Sequence, residues 1–154
     1  MPDGATVTAA TLSVYCYAKA TGLSGNVCLV SSTAGTTLAA GDRTAVGTTE
    51  LMDRTTALGG SATTFANFTT SAHNVLTLNA SGLSQISTSG NTKFAFRTSF
   101  DLDNTTPGSG IGYVAISTAL QAGTSEDPIL EVTYTVPAGG PPLRRRPSGL
   151  YTIR

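Results

Sequence analysis

Hydrophobic and polar residues alternate most regularly near the end of the chain, over residues 129–135. Leu130, Val132 and Tyr134 take every second position, and mostly polar residues stand between them. A period of two places successive side chains on opposite faces of a β-strand. Pro128 directly precedes the run and prevents a helix from continuing through it. The pattern therefore predicts a half-buried strand whose Leu130, Val132 and Tyr134 side chains face a core.

The opening residues 5–18 show a second long alternation, which predicts the first strand. Its apolar positions are Val7, Leu12, Val14 and Cys16. The strand is expected to be irregular near Ala9 and Ala10, where two small residues interrupt the alternation. A loop follows at 21–26, and residues 27–31 return to a strand pattern. Two strands this close in the chain favour a β-hairpin.

Shorter elements are predicted between these two ends of the domain. One or two short strands fit the glycine-punctuated residues 32–60, together with a single helical turn at 50–53. Further strands are expected at 65–68, 73–78, 93–100 and 111–118. The sequence thus predicts about seven or eight strands joined by loops.

Residues 79–88 are the one stretch with a helical pattern. Asn79 or Ser81 can cap its N terminus, because their side-chain oxygens accept hydrogen bonds from free backbone N–H groups. Leu83 and Ile86 are three positions apart, so they share one face of a helix. We therefore expect one short helix in a chain that otherwise forms strands.

Composition supports this all-β interpretation. Thr and Ser make up more than a quarter of the 154 residues, and there are 17 Gly and no Trp. Such a chain favours strands and turns over helices. The expected fold is an all-β antiparallel β-sandwich or jelly roll over residues 1–136. Residues 137–154 contain four prolines and three glycines, so they are predicted to form an extended tail.

The charges are divided unevenly between these two parts, although the net charge is zero. Residues 1–143 carry nine acids and five bases, whereas the last eleven residues carry four arginines and no acid. Arg144, Arg145 and Arg146 are expected to dock on the acidic body of another subunit, with a solvated tail as the alternative. Three arginines without interleaved aromatic residues do not predict a nucleic-acid partner.

The tail also contains apolar residues that can anchor it. Leu150, Tyr151 and Ile153 are expected to hold it against another subunit or across its own sandwich. The first residues, 1–4, have neither the basic nor the apolar region of a signal peptide, so none is expected. No apolar run is long enough for a transmembrane helix, and no membrane partner is predicted.

Candidate ligand-binding residues fall into two groups. The loop residues Asp101, Asp103 and Asn104 offer the hard oxygen ligands that calcium takes, with solvated loop acids as the preferred alternative. No other cofactor is expected. Tyr15, Tyr17 and Tyr113 offer aromatic faces on which a sugar can stack.

Catalytic chemistry is not predicted. His73 is the only histidine and is expected to be a surface residue at the edge of a strand. The glycine-rich residues 108–112 precede a strand pattern, whereas a nucleophile elbow or a phosphate-binding loop requires a helix there. Because no nucleophile, base and orienting residue can be assembled, we expect no enzymatic activity.

Two segments resemble a known family. Residues 2–15, PDGATVTAATLSVY, resemble the first motif, IPAGATVTSATLxLY, of DNRLRE-type β-sandwich domains. Residues 123–134, GTSEDPILEVTY, are similar to the closing motif of those domains, SSEDxxPxLxVxY. The predicted helix at 82–88 and strand at 94–97 stand where the family has a short helix and a central strand. The resemblance spans residues 2–135 in order, but the motif that names the family does not occur in this chain.

This resemblance implies a jelly-roll-like sandwich. Such domains occur in phage structural proteins, cell-wall proteins and secreted bacterial proteins, and some bind carbohydrate. The strands that usually precede the first motif have no counterpart here. A sheet edge would therefore be open, and an open edge is a pairing site for another chain or for a donated strand such as the tail.

Cys16 and Cys28 allow two interpretations. A hairpin turn centred on Gly22 would set them opposite each other and permit a cross-strand disulfide. The family-like register instead turns Val27 and Leu29 inward, which places Cys28 outward and Cys16 in the core. Unpaired thiols, typical of a reducing compartment, are the preferred interpretation.

These patterns together predict a non-catalytic structural protein. It is expected to be a virion component, such as a phage capsid decoration or fibre protein, that forms a homo-oligomer or larger assembly through subunit contacts and its C-terminal tail. The alternative is a carbohydrate-binding module of an extracellular protein.

Overall fold

The structure, a computed structural model, describes residues 1–2, 4–35, 37, 39–119, 123–137 and 151–153. Eight strands form two antiparallel sheets in these residues. The strands are β1 (Thr6–Thr21), β2 (Val27–Ser32), β3 (Val46–Glu50), β4 (Ala72–Thr77), β5 (Phe94–Thr98), β6 (Gly112–Ile116), β7 (Ile129–Thr135) and β8 (Tyr151–Ile153). The α-helices are α1 (Ala80–Gln85) and α2 (Ser99–Leu102), and a 3-10 helix spans Ala40–Ala45. The predicted all-β antiparallel sandwich is confirmed, with two short α-helices instead of one.

The large sheet is organised around β1. Leu12 of β1 pairs with Leu76 of β4 and also with Leu130 of β7, so β4 and β7 lie on opposite edges of β1. Cys16 pairs in the same way with both β4 and β6. Strands β6 and β7 therefore follow one another along the same edge of β1, with the loop 117–128 between them. β8 pairs with the far edge of β7 and completes this sheet of five strands.

The small sheet has the order β3-β2-β5, and this arrangement contradicts the hairpin predicted for the first two strands. Residues 22–26 instead cross from the large sheet to the small one. Cys28, Leu29 and Val30 are all fully buried, so β2 needs a neighbour on both edges and cover on both faces. The hairpin prediction was wrong because proximity in the chain does not determine whether two strands pair or cross between sheets.

The core lies between the two sheets. β1, β2, β4 and β7 contribute alternate residues to it, and the connecting segments contribute the rest. Its central members are Leu12, Val14, Cys16, Leu29, Leu51, Met52, Phe68, Leu76 and Val132. As the alternation predicts, Val132 is buried and Leu130 packs against the core. Tyr134 is half-buried and pairs with Val7.

The predicted helix is confirmed at α1. The side chain of Asn79 accepts a hydrogen bond from the backbone N–H of Gly82 at 2.9 Å, which caps the helix. The first strand has bulges at Val7/Ala9 and Cys16/Ala18, and the first lies close to the predicted irregularity. No helix in the described ranges is both long and apolar enough to span a membrane.

Two short elements were predicted incorrectly. Phe65 and Phe68 lie in turns and not in a strand, although both side chains are buried. The helical turn expected at 50–53 is not formed, since Glu50 ends β3 and Met52 makes a bridge with Leu78. In both segments tertiary contacts with the core decide the backbone conformation, and local propensity does not.

Candidate functional site

The outer edge of β7 holds the last strand of the chain. β8 runs antiparallel to β7, with Leu130 opposite Ile153, Glu131 opposite Thr152, and Val132 opposite Tyr151. On its other edge β7 pairs with β1 over seven residue pairs. We call the outer edge of β7 at residues 130–132 the acceptor edge, because it takes up a strand from the tail. Main-chain hydrogen bonds at a sheet edge provide affinity for an added strand.

The predicted tail residues divide into two groups. Tyr151 and Ile153 lie in β8 and are therefore part of the large sheet. Arg144, Arg145, Arg146 and Leu150 lie outside the described residues. The described part of the tail thus reaches the sandwich through backbone pairing, a mode that amino-acid composition alone does not reveal.

Acidic side chains lie close to the acceptor edge. Glu126 and Asp127 precede β7, and Glu131 lies on it. Ser117 donates its hydroxyl to Glu126 at 2.8 Å, and Thr11 donates to Glu131 at 3.5 Å. Oδ1 of Asp127 is buried and has no hydrogen-bond partner in the part of the chain that the structure describes. Among the described residues these three carboxylates form no ion pair, and Glu126 and Glu131 are partly exposed, so a cation from elsewhere can reach them.

The three predicted tyrosines share the outer face of the large sheet. Tyr15 lies between the core residues Val14 and Cys16 in β1, so its side chain points away from the core. Tyr17 is 55% exposed beside the bulge in the same strand. Tyr113 of β6 is 46% exposed and alternates with residues that pack on the core. Aromatic surface is therefore spread along one face, and sequence spacing alone does not show this for Tyr113.

His73 joins this face to the loop before β7. Its ring meets the ring of Tyr15 edge-on, with centroids 5.5 Å apart and planes at 75°. Its Nε2 lies 3.0 Å from the backbone carbonyl oxygen of Ser125. The described hydrogen-bond partner of this imidazole is thus a carbonyl group and not a serine hydroxyl. The contact helps to hold residues 123–128 against the sheet.

The predicted calcium ligands are engaged with arginines. Asp101 accepts a hydrogen bond from Arg97 at 2.6 Å, and Asp103 accepts one from Arg54 at 2.8 Å. Hydrogen bonds from these guanidinium groups lower the pKa of both carboxyl groups. Asn104 follows in a left-handed conformation, with φ of 50°. Within the described segments no group of three His, Cys, Asp or Glu side chains is arranged to hold a metal ion.

The two cysteines are free, in agreement with the preferred interpretation. Cys16 lies in the core, while Val27 and Leu29 turn inward and leave Cys28 on the other face of the small sheet. Because the two strands belong to different sheets, the cross-strand disulfide that a hairpin would have permitted is not formed.

Cys28 is nevertheless completely buried. The charges that act on its thiol belong to Glu50, Arg54 and Asp103, and Arg54 forms ion pairs with both carboxylates. Burial, and a hydrogen bond to the Glu50 carboxylate, raise the pKa of Cys28 from 9.0 to about 12. Since only a thiolate is a good nucleophile or metal ligand, this cysteine is chemically inert at neutral pH.

Comparison with known proteins gives no match to a family model, to a curated protein or to a solved structure. The resemblance to DNRLRE-type domains therefore stays a prediction from the two motifs.

Proposed function

We propose that this protein is a non-catalytic structural protein that assembles with further copies of itself through its sheet edges and its C-terminal tail. The observation that carries the proposal is the pairing of Tyr151–Ile153 with the acceptor edge. A tail that joins a sheet as a strand is a connector, because main-chain hydrogen bonds provide affinity without a pocket or a reactive group.

A second edge supports assembly. β6 pairs with β1 and carries no other strand in the described part of the chain. Its neighbour Ile111 and its own residue Tyr113 are exposed. An edge that is flanked by exposed apolar side chains favours association with another protein surface.

The charges of the chain support the same proposal. Glu126, Asp127 and Glu131 lie near the acceptor edge without a described cation partner. Arg144, Arg145 and Arg146 precede β8 in the sequence. Attraction between these two groups would guide the tail to the acceptor edge and would weaken as salt is added.

The proposed setting is a virion, where the protein would serve as a capsid decoration or fibre component. The two motifs that resemble DNRLRE-type domains support this setting, because phage structural proteins are among the proteins that contain such domains. A composition rich in small polar residues and with only 12% charged residues supports it too. A structural role of this kind uses contact area and needs no cofactor.

Removal of the tail is expected to reduce the assembly to monomers. Light scattering and electron microscopy would compare the full chain with residues 1–137, and circular dichroism would confirm that the shortened protein is folded. An Ile153→Pro variant of the full chain tests the strand itself. Ile153 pairs with Leu130, whose backbone N–H and C=O point toward β8, and proline has no N–H to donate there. Ile153→Val is the matched control, because another β-branched residue is compatible with the strand and should retain the assembly.

Two further results test how the tail contributes to assembly and whether the protein assembles at all. If neutral replacement of Arg144, Arg145 and Arg146 weakens assembly and reduces its salt dependence, charge guides the tail. If the full chain and residues 1–137 are both compact monomers at every concentration, the proposed function is wrong.

A carbohydrate-binding module is the second candidate, favoured by the aromatic outer face of the large sheet. Tyr15, Tyr17 and Tyr113 share that face, and two of them are exposed. A glycan array is expected to show binding that Tyr113→Ala abolishes, because a sugar stacks on an aromatic ring. Val75→Ala is the control, since it removes an exposed side chain from the same face without removing a ring. An array without a signal would exclude this candidate.

A further inference from the structure

We propose that the acceptor edge takes up Tyr151–Ile153 from a second copy of the chain, so that subunits exchange their C-terminal strands. This inference rests on the proposed function and specifies how the tail connects subunits. It identifies the acceptor edge as an interaction surface and a second copy of this chain as its partner.

The length of the connection between β7 and β8 is the first argument. Antiparallel neighbours in a hairpin need a loop of about two to five residues. Here β7 ends at Thr135 and β8 begins at Tyr151, so fifteen residues, 136–150, stand between them. A connection of this length reaches up to about 50 Å when extended. It is far longer than a return to the same edge requires, and long enough to reach a neighbouring subunit.

The pairing itself is the second argument. The register places Tyr151 opposite Val132 and Ile153 opposite Leu130, and both partners in β7 contribute to the core. A strand from a second copy would form the same three residue pairs in the same register. The contacts therefore do not favour the closed arrangement over the exchanged one, and this equality is what makes strand exchange a low-cost route to oligomers.

The balance between the two arrangements is set by concentration. A short covalent connection presents its own strand at an effective concentration of roughly millimolar. Exchange becomes competitive when neighbouring copies reach a similar local concentration, as they do side by side in an assembly. The exchanged fraction should consequently rise with protein concentration, whereas a closed strand would not respond to it.

Paired cysteine variants of the full chain test the exchange directly. Glu131 and Thr152 are register partners, so Glu131→Cys in one chain and Thr152→Cys in another can form a disulfide only when β8 of the second chain lies on β7 of the first. The native thiols of Cys16 and Cys28 are buried and add little background. Under mild oxidation, the mixture is expected to give a covalent heterodimer whose yield rises with concentration toward the millimolar range.

The control mixture combines Val75→Cys with Thr152→Cys. Val75 is exposed on β4, across β1 from the acceptor edge, so collisions alone would cross-link this pair as readily as the test pair. We expect the test pair to exceed this control by at least about tenfold, as a specific contact over random encounter requires. A yield equal to that of the control would overturn the exchange.

A single chain that carries both Glu131→Cys and Thr152→Cys separates the remaining outcomes. If it closes its own disulfide and the mixture gives no heterodimer while the full chain still assembles, the exchange is wrong and the proposed function stands. If the chain also remains a monomer at every concentration, both proposals are wrong. If no disulfide forms in either experiment, β8 does not occupy the acceptor edge in solution and the inference fails.

Discussion

Between pH 9 and pH 12 the free energy of unfolding of this protein is expected to fall. Replacement of Cys28 by Ser is expected to remove a large part of that fall. The buried thiol keeps its proton in the folded state, where burial raises its pKa from 9.0 to about 12. In the unfolded chain the same thiol ionises near its ordinary pKa of 9.0. Alkaline pH therefore stabilises the unfolded chain through the thiolate that only this state can form.

The sign and the size follow from this difference. A pKa that is higher in the folded state contributes stability that is present in full below pH 9 and lost as the pH rises to about 12. Each unit of pKa difference corresponds to about 1.4 kcal/mol, so the loss approaches about 4 kcal/mol. That is a substantial fraction of the roughly 5–15 kcal/mol that stabilise a typical domain.

Urea unfolding at a series of pH values measures this effect. The free energy of unfolding of Cys28→Ser should fall less steeply above pH 9 than that of the unmodified protein, because serine does not titrate there. Cys16→Ser is the comparison. Burial also raises the pKa of Cys16, but a hydrogen bond with the backbone of Ala18 and the positive charge of Lys19 act against that increase, so a smaller change is expected. Parallel pH profiles for Cys28→Ser and the unmodified chain would show that the thiol does not couple folding to pH.

The strands could be predicted from the sequence where one face of a strand is buried and the other is open. Leu12, Val14 and Cys16 of β1 and Leu130 and Val132 of β7 follow this rule, and the structure confirms their inward direction. β2 breaks the rule, because both of its faces are covered. Its residues 27–31 indicated a strand, but they did not identify β3 and β5 as its neighbours.

Ion pairs can be predicted from the sequence when the partners are close in the chain, but not when only the fold brings them together. Arg97 and Asp101 are four residues apart, and that spacing alone makes their pairing predictable. Arg54 reaches Asp103 across 49 residues of sequence, so only the folded chain brings them together. Asp101 and Asp103 resemble calcium ligands because they are close together in the sequence. The fold places an arginine beside each of them, and the sequence does not show this.

The tail illustrates a limit of a different kind. Tyr151, Thr152 and Ile153 have the β-branched and aromatic character of a strand, which the sequence shows. The strand that accepts them cannot be predicted from composition, because backbone hydrogen bonds form irrespective of the side chains. The sequence therefore predicted only that one sheet edge is open. The structure places the acceptor edge on β7.

Phe68→Ala is expected to lower the free energy of unfolding by about 3–5 kcal/mol, the usual cost of removing a buried phenylalanine side chain. Phe68 is 1% exposed and belongs to the central core, although it lies in a turn and not in a strand. Its ring packs in the space between the two sheets, so truncation leaves a cavity that strands held in two sheets cannot easily close. Urea or thermal unfolding measures the loss.

Two control variants test whether the loss of stability comes from the buried ring of Phe68. Phe68→Leu retains most of the apolar volume and should cost less than about 2 kcal/mol. Tyr17→Ala removes an aromatic ring of similar size from the 55% exposed position on β1, and a surface change of this kind is expected to stay within about 1 kcal/mol. If Phe68→Ala and Tyr17→Ala had similar effects, the turns at 65–68 would not form part of the core. The two sheets would then be held together by buried residues of their own strands, such as Leu29, Leu76 and Val132.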